Sequence, residues 1–501
     1  MFRRLALGCI VSLAVLLALE VAGRLVETAI PRIISTSEVS PGWQTPFFQS
    51  FLDWHEPDPD LLWRFKAGLD DPLVRTNSQH LIGEEFTKEK PPGVYRILLL
   101  GDSSPVGIGL KNRHQAFGEL LARDLNITLV DYKSVELINA AVSGYTTEQL
   151  KVVLETTGWK YRPDLVIVYA GNNDASISGP LSDEELLHFQ KLRGLRRAFS
   201  HLALYRLLRS VLTGSKTSLD ELDYELKPRV SAERFGNNLA EIANQCRRHN
   251  CPLIIVEPPV PRLWPAGLQF KVFQHAGTAD GRLIMPEQMR RLLGRNVKYC
   301  LDQERLRQLS GQRDVFTDAV YASAYADSMD TDGAILFYSD RLRRDSLDPV
   351  AANNLGVSYW EKGRYREADS LLKLARRLSL RRSDGETSMA RLTASSPFLY
   401  NIGINMMSWS EQDASLADVA NAHLDSALQA DYFSLRVKRD YLREIERLAD
   451  REDVFVADLR QTFADNGGEA LFIDHCHPTP EGHRLIADYL HRLVLQQIMR
   501  P

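Results

Sequence analysis

The feature that most constrains the fold is a series of five short, almost continuously apolar segments spread along the chain. They cover residues 94–100, 135–139, 165–170, 253–256 and 454–457. Continuous apolar runs of this length are typical of strands that are buried on both faces of a parallel sheet. Segments with a helical pattern lie between them, at 115–125, 148–159 and 232–249. The alternation predicts an α/β fold with a parallel sheet and right-handed crossovers.

The alternation stops between residues 260 and 440, where the pattern is helical and no comparable apolar segment occurs. One stretch of this region carries small and large residues at the spacings of a tetratricopeptide repeat. The matching residues are Leu355, Gly356, Tyr359, Gly363, Tyr365, Ala368, Leu372 and Ala375. Looser matches on either side would complete about three stacked units. We interpret 260–440 as a helical insertion with tetratricopeptide-like repeats that divides the α/β domain into 93–259 and 441–501. An irregular helical cap with one chance match is the alternative.

The N-terminus carries a membrane-targeting pattern. Arg3 and Arg4 precede an apolar run over 5–19, and Glu20 follows it. As a helix this run is about 22 Å long, which is short for the roughly 30 Å hydrocarbon core of a bilayer and long for the core of a signal peptide. The pattern favours an uncleaved signal anchor at 1–24 over a cleaved signal peptide, and a buried core helix is a third interpretation. The two arginines predict a cytoplasmic N-terminus, with the rest of the chain exported.

Residues 25–92 mix prolines, aromatic residues and charges without sustained periodicity, as in 54–60. We interpret this segment as a stem that leads from the membrane and packs against the α/β domain.

Composition restricts the classes of function. The 501 residues are 44% hydrophobic and 25% charged, which is ordinary for a folded domain and argues against a polytopic membrane protein. Lys plus Arg number 61 against 65 Asp plus Glu, and the net charge of −4 argues against nucleic acid as a partner. Five cysteines are too few for a disulfide scaffold. In an oxidising compartment, Cys246 with Cys251 and Cys300 with Cys476 are candidate disulfides, and buried thiols are the alternative.

Residues suited to acyl chemistry follow three of the predicted strands, where α/β folds place their sites. Gly101-Asp102-Ser103 follows the first strand, and a serine at such a strand-to-helix turn exposes its hydroxyl. Gly144 follows the second strand, and Asn173 follows the third. The Gly144 N–H and the Asn173 side-chain amide are able to donate hydrogen bonds to an oxyanion. Each pattern alone is weak, because short glycine-containing turns are common.

The last predicted strand is followed by Asp474-His475-Cys476-His477. Asp474 and His477, three residues apart on one loop, are placed to share a hydrogen bond that orients the imidazole and stabilises its protonated form. Metal binding by His475, His477, His483 and Asp474 is the competing interpretation. It leaves the serine, glycine and asparagine unexplained, so we predict neither a metal nor another cofactor.

The order serine, glycine, asparagine, then aspartate and histidine, each after a successive strand, resembles the SGNH/GDSL hydrolase family. The resemblance implies a three-layer, flavodoxin-like fold. It also implies that Ser103 is the nucleophile, that His477 is the general base, and that Asp474 orients it. The oxyanion hole would comprise the Ser103 and Gly144 amides and the Asn173 side chain. Two departures lie near the site: Ser104-Pro105 in the first block, and Ala141 where glycine is common.

The anchor and the stem look like those of exported bacterial members of this family. Such members add or remove acetyl groups on cell-envelope or extracellular polysaccharides. The resemblance thus implies a serine esterase in the inner membrane, held by its N-terminal helix, with its catalytic domain in the periplasm and an acetylated polysaccharide as substrate. An O-acetyltransferase would use the same residues. A scaffold that binds a protein partner through the helical insertion is the alternative from another class.

Overall fold

The computed structural model describes residues 53–71, 73–129, 132, 134–179, 181–191, 227–264, 330–382, 388–431 and 435–498, together with Arg24. By its internal contacts the chain divides into two units, one of residues 1–44 and 185–224 and one of residues 45–184 and 225–501. Nearly all described residues belong to the second unit, and the sheet, the insertion and the site all lie within it.

The described strands are β1 His55–Asp58, β2 Leu62–Phe65, β3 Val94–Gly101, β4 Ser134–Asn139, β5 Leu165–Tyr169, β6 Ile177–Gly179, β7 Lys227–Pro228, β8 Leu253–Glu257 and β9 Val454–Asp458. The described α-helices are α1 Ser103–Val106, α2 Phe117–Thr128, α3 Thr147–Thr156, α4 Asp183–Lys191, α5 Ala232–Arg248, α6 Thr331–Arg344, α7 Pro349–Glu361, α8 Tyr365–Arg382, α9 Ser388–Ser410, α10 Ala417–Ala430, α11 Arg439–Leu448, α12 Arg460–Asp465 and α13 Pro480–Ile498.

The centre of the fold is a five-stranded sheet in the order β4-β3-β5-β8-β9, with every neighbouring pair parallel. Counted along the chain, this is the 2-1-3-4-5 order of flavodoxin-like, doubly wound sheets. Each of the five predicted apolar segments forms a strand whose ends lie within about one residue of the predicted bounds. The predicted α/β fold with a parallel sheet is therefore confirmed.

Helices cover both faces of the sheet and make three layers. Side chains of β3 alternate between two cores: Ile97 and Leu99 pack with α2 and α13, whereas Leu98 and Leu100 pack with α3, α5 and α11. All four of these side chains are fully buried. Burial on both faces explains why the strand is continuously apolar rather than alternating.

The described part of the predicted stem packs on the sheet domain. β1 and β2 form an antiparallel hairpin, and Phe65 at its end is fully buried, as is Val74 beyond it. Both side chains join the same core as Leu98 and Leu100. The Ile82 N–H donates to the Asn139 carbonyl at the end of β4 (3.1 Å). The predicted stem therefore contacts the edge of the sheet that carries the site.

The region between β8 and β9 contains helices α6 to α10, each packed against the next. A Cβ atom on Gly356 of α7 would lie 2.9 Å from Leu372 of α8, and one on Gly403 of α9 would lie 2.8 Å from Leu424 of α10. Both helix pairs thus approach closely at a glycine that faces a leucine. The tetratricopeptide interpretation stays a prediction.

The segment that follows α10 contacts loops at the carboxyl edge of the sheet. The fully buried Arg436 donates to the Pro261 carbonyl (2.9 Å) and pairs with Asp431 (3.2 Å). The next residue, Val437, donates its N–H to the Asn172 side chain (2.9 Å). The chain between β8 and β9 is therefore joined directly to the loop that carries Asn173.

Among the described residues, no helix combines the length and the apolar character that a bilayer crossing needs. The predicted anchor at 1–24 lies, apart from Arg24, outside the described residues. Cys246, Cys251 and Cys476 are buried free thiols, so the candidate bond between the first two is not formed in this structure. Cys300 lies outside the described residues.

Candidate active site

Ser103 begins α1 directly after β3. Asp102 caps this short helix by accepting a hydrogen bond from the Ser104 N–H (2.9 Å), and its burial raises the pKa of the carboxyl to about 6. A Cβ at Gly101 would lie 2.5 Å from Pro105. The glycine is therefore required because Pro105 packs over it.

The two departures from the usual family blocks contact each other through Asn139, the last residue of β4. Its side-chain amide donates to the Pro105 carbonyl (3.1 Å), and its side-chain oxygen accepts from the Ala141 N–H (3.1 Å). Pro105 and Ala141 thus belong to one hydrogen-bonded unit beneath the site.

The Asp474–His477 loop is closed by its own backbone. The Ile473 N–H donates to the His477 carbonyl (2.8 Å). Asp474 Oδ1 accepts the N–H groups of Cys476 (3.0 Å) and His477 (2.9 Å). These bonds leave Asp474 Oδ2 free to face the imidazole, and its distance to His477 Nδ1 is 2.7 Å.

The loop meets the serine across 374 positions of sequence: His477 Nε2 lies 2.8 Å from Ser103 Oγ. An ionised carboxylate only accepts hydrogen bonds, so the neutral imidazole carries its proton on Nδ1 and donates it to Asp474. Nε2 then has a free lone pair and accepts the Ser103 hydroxyl proton. The structure brings Ser103, His477 and Asp474 together in one continuous hydrogen-bonded line.

The negative charge of Asp474 and a positive charge on His477 stabilise each other. Burial opposes ionisation of Asp474, but His477, His475 and the backbone N–H groups outweigh it and hold the pKa of that carboxyl well below its usual range. Burial also opposes protonation of His477, yet the negative charge of Asp474 raises the pKa of this imidazole well above its usual 6.5. A positive charge formed on His477 is therefore stabilised where it forms.

The structure does not bring the four residues of the alternative metal site together in one cluster. Among the described residues, the group of possible ligand atoms within 4.8 Å of one another comprises Asp474, Cys476 and His477. His483 lies in the core instead, where its Nδ1 accepts from the Phe117 N–H (3.1 Å) and burial lowers its pKa to about 3. Burial likewise lowers the pKa of His475 to about 4. His477 already uses both ring nitrogens, so it would have to release Asp474 or Ser103 to bind a metal.

Each of the three donors of the predicted oxyanion hole has an N–H group that makes no hydrogen bond within the described residues. Within the described part of the chain, the Ser103 and Gly144 N–H groups have no hydrogen-bond partner. The Asn173 amide donates to the Tyr145 carbonyl (3.2 Å), which leaves its second N–H available. Gly144 has a φ of 82°, a conformation that favours glycine.

Two residues that no sequence pattern marks contact the Gly144 loop. Trp63, on β2 of the predicted stem, donates its indole N–H to the Ser143 carbonyl (3.1 Å). Arg229, just beyond β7, donates to the Gly144 carbonyl (2.7 Å). Neither residue lies in a block with a recognisable pattern, and only the folded chain places them here.

Comparison with known proteins agrees with this geometry. The GDSL-like lipase/acylhydrolase family matches residues 99–302, a range that contains Ser103, Gly144 and Asn173. The match ends before Asp474 and His477, which reach the site by way of the last strand of the sheet. No protein of curated function matches the chain.

Several solved structures are similar to parts of the chain. A psychrotrophic esterase from Pseudoalteromonas sp. is 19% identical over 33% of this chain and 61% of its own, with a TM-score of 0.20. A lipase/acylhydrolase from Enterococcus faecalis is 19% identical over 40% of this chain and 67% of its own, with a TM-score of 0.21. An acetylxylan esterase from Geobacillus stearothermophilus is 12% identical over 43% of this chain and 72% of its own, also with a TM-score of 0.21.

The chain spans about three fifths of the length of the first of these matched structures. The three neighbours differ in activity by name. The family match and the strand order of the sheet assign the fold but not the substrate. Residues 99–302 form a domain of the GDSL-like lipase/acylhydrolase family.

Proposed function

We propose that the protein is a serine-dependent ester hydrolase that acts through an acyl-enzyme. The observation that carries the proposal is the line from Ser103 Oγ to His477 Nε2 (2.8 Å) and from His477 Nδ1 to Asp474 Oδ2 (2.7 Å). A serine hydroxyl is a weak nucleophile until a neighbouring base accepts its proton. In this geometry His477 is that base, and Asp474 orients it and stabilises the imidazolium.

The proposed reaction has two balanced steps. Ser103 Oγ attacks the ester carbonyl while His477 takes the hydroxyl proton. The tetrahedral intermediate collapses, the carbon–oxygen bond to the alcohol breaks, and His477 returns the proton to the leaving alkoxide. Water, deprotonated by His477, then attacks the acyl-enzyme and releases the acid together with free Ser103.

The oxyanion of each tetrahedral intermediate needs donors that are free beforehand. The Ser103 and Gly144 N–H groups and the second N–H of Asn173 meet this requirement. Donors of this kind, fixed in place before the reaction, are worth about 10² to 10³ in rate each. We therefore assign them to the oxyanion hole.

For the substrate we propose O-acetyl groups on cell-envelope or extracellular carbohydrate, as the resemblance to exported family members implies. Transfer of the acetyl group to a second alcohol would use the same acyl-enzyme, with the alcohol in place of water. The outcome depends on how well the site excludes water and holds an acceptor.

The catalytic proposal is tested with the full-length chain in detergent and 4-nitrophenyl acetate as substrate. Ser103→Ala should lower kcat/KM by about 10⁴-fold or more and should abolish labelling by a fluorophosphonate probe. Ser104→Ala is the matched control, because it removes a neighbouring hydroxyl that contacts the Cys476 carbonyl (3.5 Å) and the Asp102 side chain rather than His477. Equal turnover by wild type and Ser103→Ala would refute the proposal.

The substrate proposal is tested by incubating the active chain with acetylated polysaccharides and free acceptor oligosaccharides. Acetate released into solution supports the hydrolase, whereas acetyl groups recovered on the acceptor support the transferase. Activity on aryl acetate without either product would contradict the carbohydrate assignment.

We also propose that the N-terminal helix holds the enzyme in the inner membrane, with its site on the periplasmic side. The chain should then pellet with membranes after a carbonate wash, and protease added to spheroplasts should digest its α/β domain. Recovery of the whole chain in the soluble cytoplasmic fraction would contradict this localisation.

A further inference from the structure

The peptide unit that carries the Gly144 N–H is held by a hydrogen bond to its carbonyl oxygen. This unit joins the Ser143 carbonyl to the Gly144 nitrogen, and Trp63 Nε1 donates to that carbonyl at 3.1 Å. In a planar trans peptide the carbonyl and the N–H point in opposite directions. A donor that fixes the Ser143 carbonyl therefore also fixes the direction of the Gly144 N–H.

The following peptide unit is held in the same way by Arg229. Its Nη1 donates to the Gly144 carbonyl at 2.7 Å. Its Nε and Nη2 form a two-pronged ion pair with Asp183, at 3.0 and 2.6 Å. Both side chains are largely buried. Such fork-shaped pairs fix the guanidinium in orientation as well as in position.

Asp183 is itself anchored at the start of α3. It accepts hydrogen bonds from the Thr146 hydroxyl (2.9 Å) and from the Gln149 side-chain amide (3.2 Å). Thr146 and Gln149 form the capping box of that helix. The contact from Arg229 to Gly144 is thus connected to a regular element of the fold.

Trp63 and Arg229 also contact each other. The guanidinium of Arg229 lies over the indole ring, 5.6 Å from its centroid. The backbone carbonyl of Trp63 accepts from the Tyr145 hydroxyl (2.7 Å), and a Cβ on Gly144 would lie 3.2 Å from the ring. The β1–β2 hairpin is therefore fitted closely against the glycine.

We propose that Trp63 and Arg229 are positioning residues that aim the Gly144 N–H at the oxyanion; this rests on the proposed function. Glycine at a positive φ is free to rotate about both flanking bonds. Fixing the carbonyl on each side removes that freedom before substrate binds. An oxyanion donor is effective only when it is held in place in advance.

The decisive variant is Trp63→Phe, which keeps an aromatic ring and removes the indole N–H. Trp159→Phe is the matched control, because the Trp159 indole also donates one hydrogen bond, to Gln245 (3.0 Å), but precedes β5 at the opposite edge of the sheet. With 4-nitrophenyl acetate and the full-length chain, Trp63→Phe should lower kcat by about tenfold or more. Complete removal of one oxyanion donor lowers kcat by about 10² to 10³, and this variant only misaligns the donor. KM and the pH midpoint of kcat should stay as in Trp159→Phe.

A second readout separates positioning from general loss of structure. A short-chain trifluoromethyl ketone forms an adduct with serine that carries the oxyanion, whereas the corresponding alcohol does not. Trp63→Phe should raise the inhibition constant of the ketone by the same factor by which it lowers kcat/KM. The inhibition constant of the alcohol should stay unchanged.

Arg229→Lys provides an independent variant, because lysine keeps the charge beside Asp183 but cannot form the fork and donate to Gly144 at once. It should reproduce the loss of kcat and of ketone inhibition. Full kcat in both Trp63→Phe and Arg229→Lys, measured beside an active wild type, would overturn the inference and leave the proposed function standing. A wild type without Ser103-dependent turnover would overturn both.

Discussion

The two halves of the candidate site are held in place by different means. In the proton-transfer half, Asp474 and His477 lie three positions apart, and Asp474 Oδ1 accepts two N–H groups of the same loop. In the oxyanion half, Gly144 is held by Trp63 and Arg229, which are about 80 positions away in sequence on either side. The first half is a local motif, whereas the second exists only when distant parts of the chain are packed together.

This difference predicts different responses to substitution. Changes to Asp474 or His477 should remove chemistry and leave the fold intact, because the loop makes its own backbone hydrogen bonds. Changes around Gly144 should weaken transition-state stabilisation in proportion to how far the N–H moves. The following variants are ordered by the size of the expected effect.

Removal of the base should have the largest effect. His477→Ala deletes the group that accepts the Ser103 proton, and kcat/KM for an aryl acetate should fall by about 10⁴-fold or more. The control is His491→Ala on α13, which loses one contact with the Thr128 hydroxyl (2.9 Å) away from the site. A loss of less than tenfold in His477→Ala would show that another group activates the serine.

Asp474→Asn should lower kcat/KM by about 10³- to 10⁴-fold, because an amide no longer specifies the tautomer with the proton on Nδ1. It should also change the pH profile. The base must be neutral, so activity is lost as the pH falls through the pKa of His477, which Asp474 raises above 6.5. The wild-type acidic limb should therefore lie above pH 6.5, and without the carboxylate it should move to lower pH because burial, which lowers the pKa, loses its strongest opposing contribution.

The pH profile is measured as kcat/KM between about pH 5 and 9, with the residual activity of Asp474→Asn followed at higher enzyme concentration. An unchanged limb in this variant would mean that the titrating group is not His477 paired with Asp474. In that case the hydrogen bond of 2.7 Å between them would have no influence on the base.

Gly144→Ala should have a smaller effect, about 10²-fold on kcat, because it disturbs one donor of three. The new Cβ would meet the Trp63 ring at 3.2 Å on a backbone with a φ of 82°. Gly363→Ala is the matched control, since it has a similar φ of 69° but open space around the Cβ position, in the helical insertion. Both variants should lose stability in thermal melts, and only Gly144→Ala should lose kcat.

Equal activity in Gly144→Ala and Gly363→Ala would place the oxyanion donor elsewhere. Equal melting temperatures with unequal kcat would show that the strain is local to the site and does not spread into the fold.

The contrast between the two halves also explains what the sequence could predict. The sequence predicts the strands because burial on both faces of the sheet requires an apolar run, as in 94–100, and this signal is local. The sequence predicts Ser103 and Asn173 because each belongs to a short block just after a strand, and it predicts Asp474 and His477 because they form a block of their own beyond the last strand. The carboxyl ends of parallel strands meet at one edge, so the blocks converge whatever the length of chain between them.

Trp63 and Arg229 could not be found in this way. Trp63 lies in the predicted stem, a segment without periodicity, and its contact with the Ser143 carbonyl depends on how the β1–β2 hairpin packs. Arg229 is adjacent to a strand of only two residues. Single tertiary hydrogen bonds leave no periodic pattern, so reasoning from the sequence favours catalytic blocks over the residues that position them.

The smallest effect is expected at Cys476, although it lies between Asp474 and His477. Its contribution to the loop is its backbone N–H, which donates to Asp474 at 3.0 Å, and its side chain makes only a long contact (3.8 Å) with His477 Nδ1. Burial raises the pKa of the thiol to about 11, so no thiolate is present at neutral pH. Cys476→Ala keeps the backbone N–H, and kcat/KM should stay within about threefold of wild type, while thermal stability falls by about 1 kcal/mol for the lost packing. Kinetic assays with an aryl acetate and thermal melts measure the two effects. A 100-fold loss of kcat/KM would show that the loop depends on this side chain, and the proton-transfer half would no longer qualify as a self-contained motif.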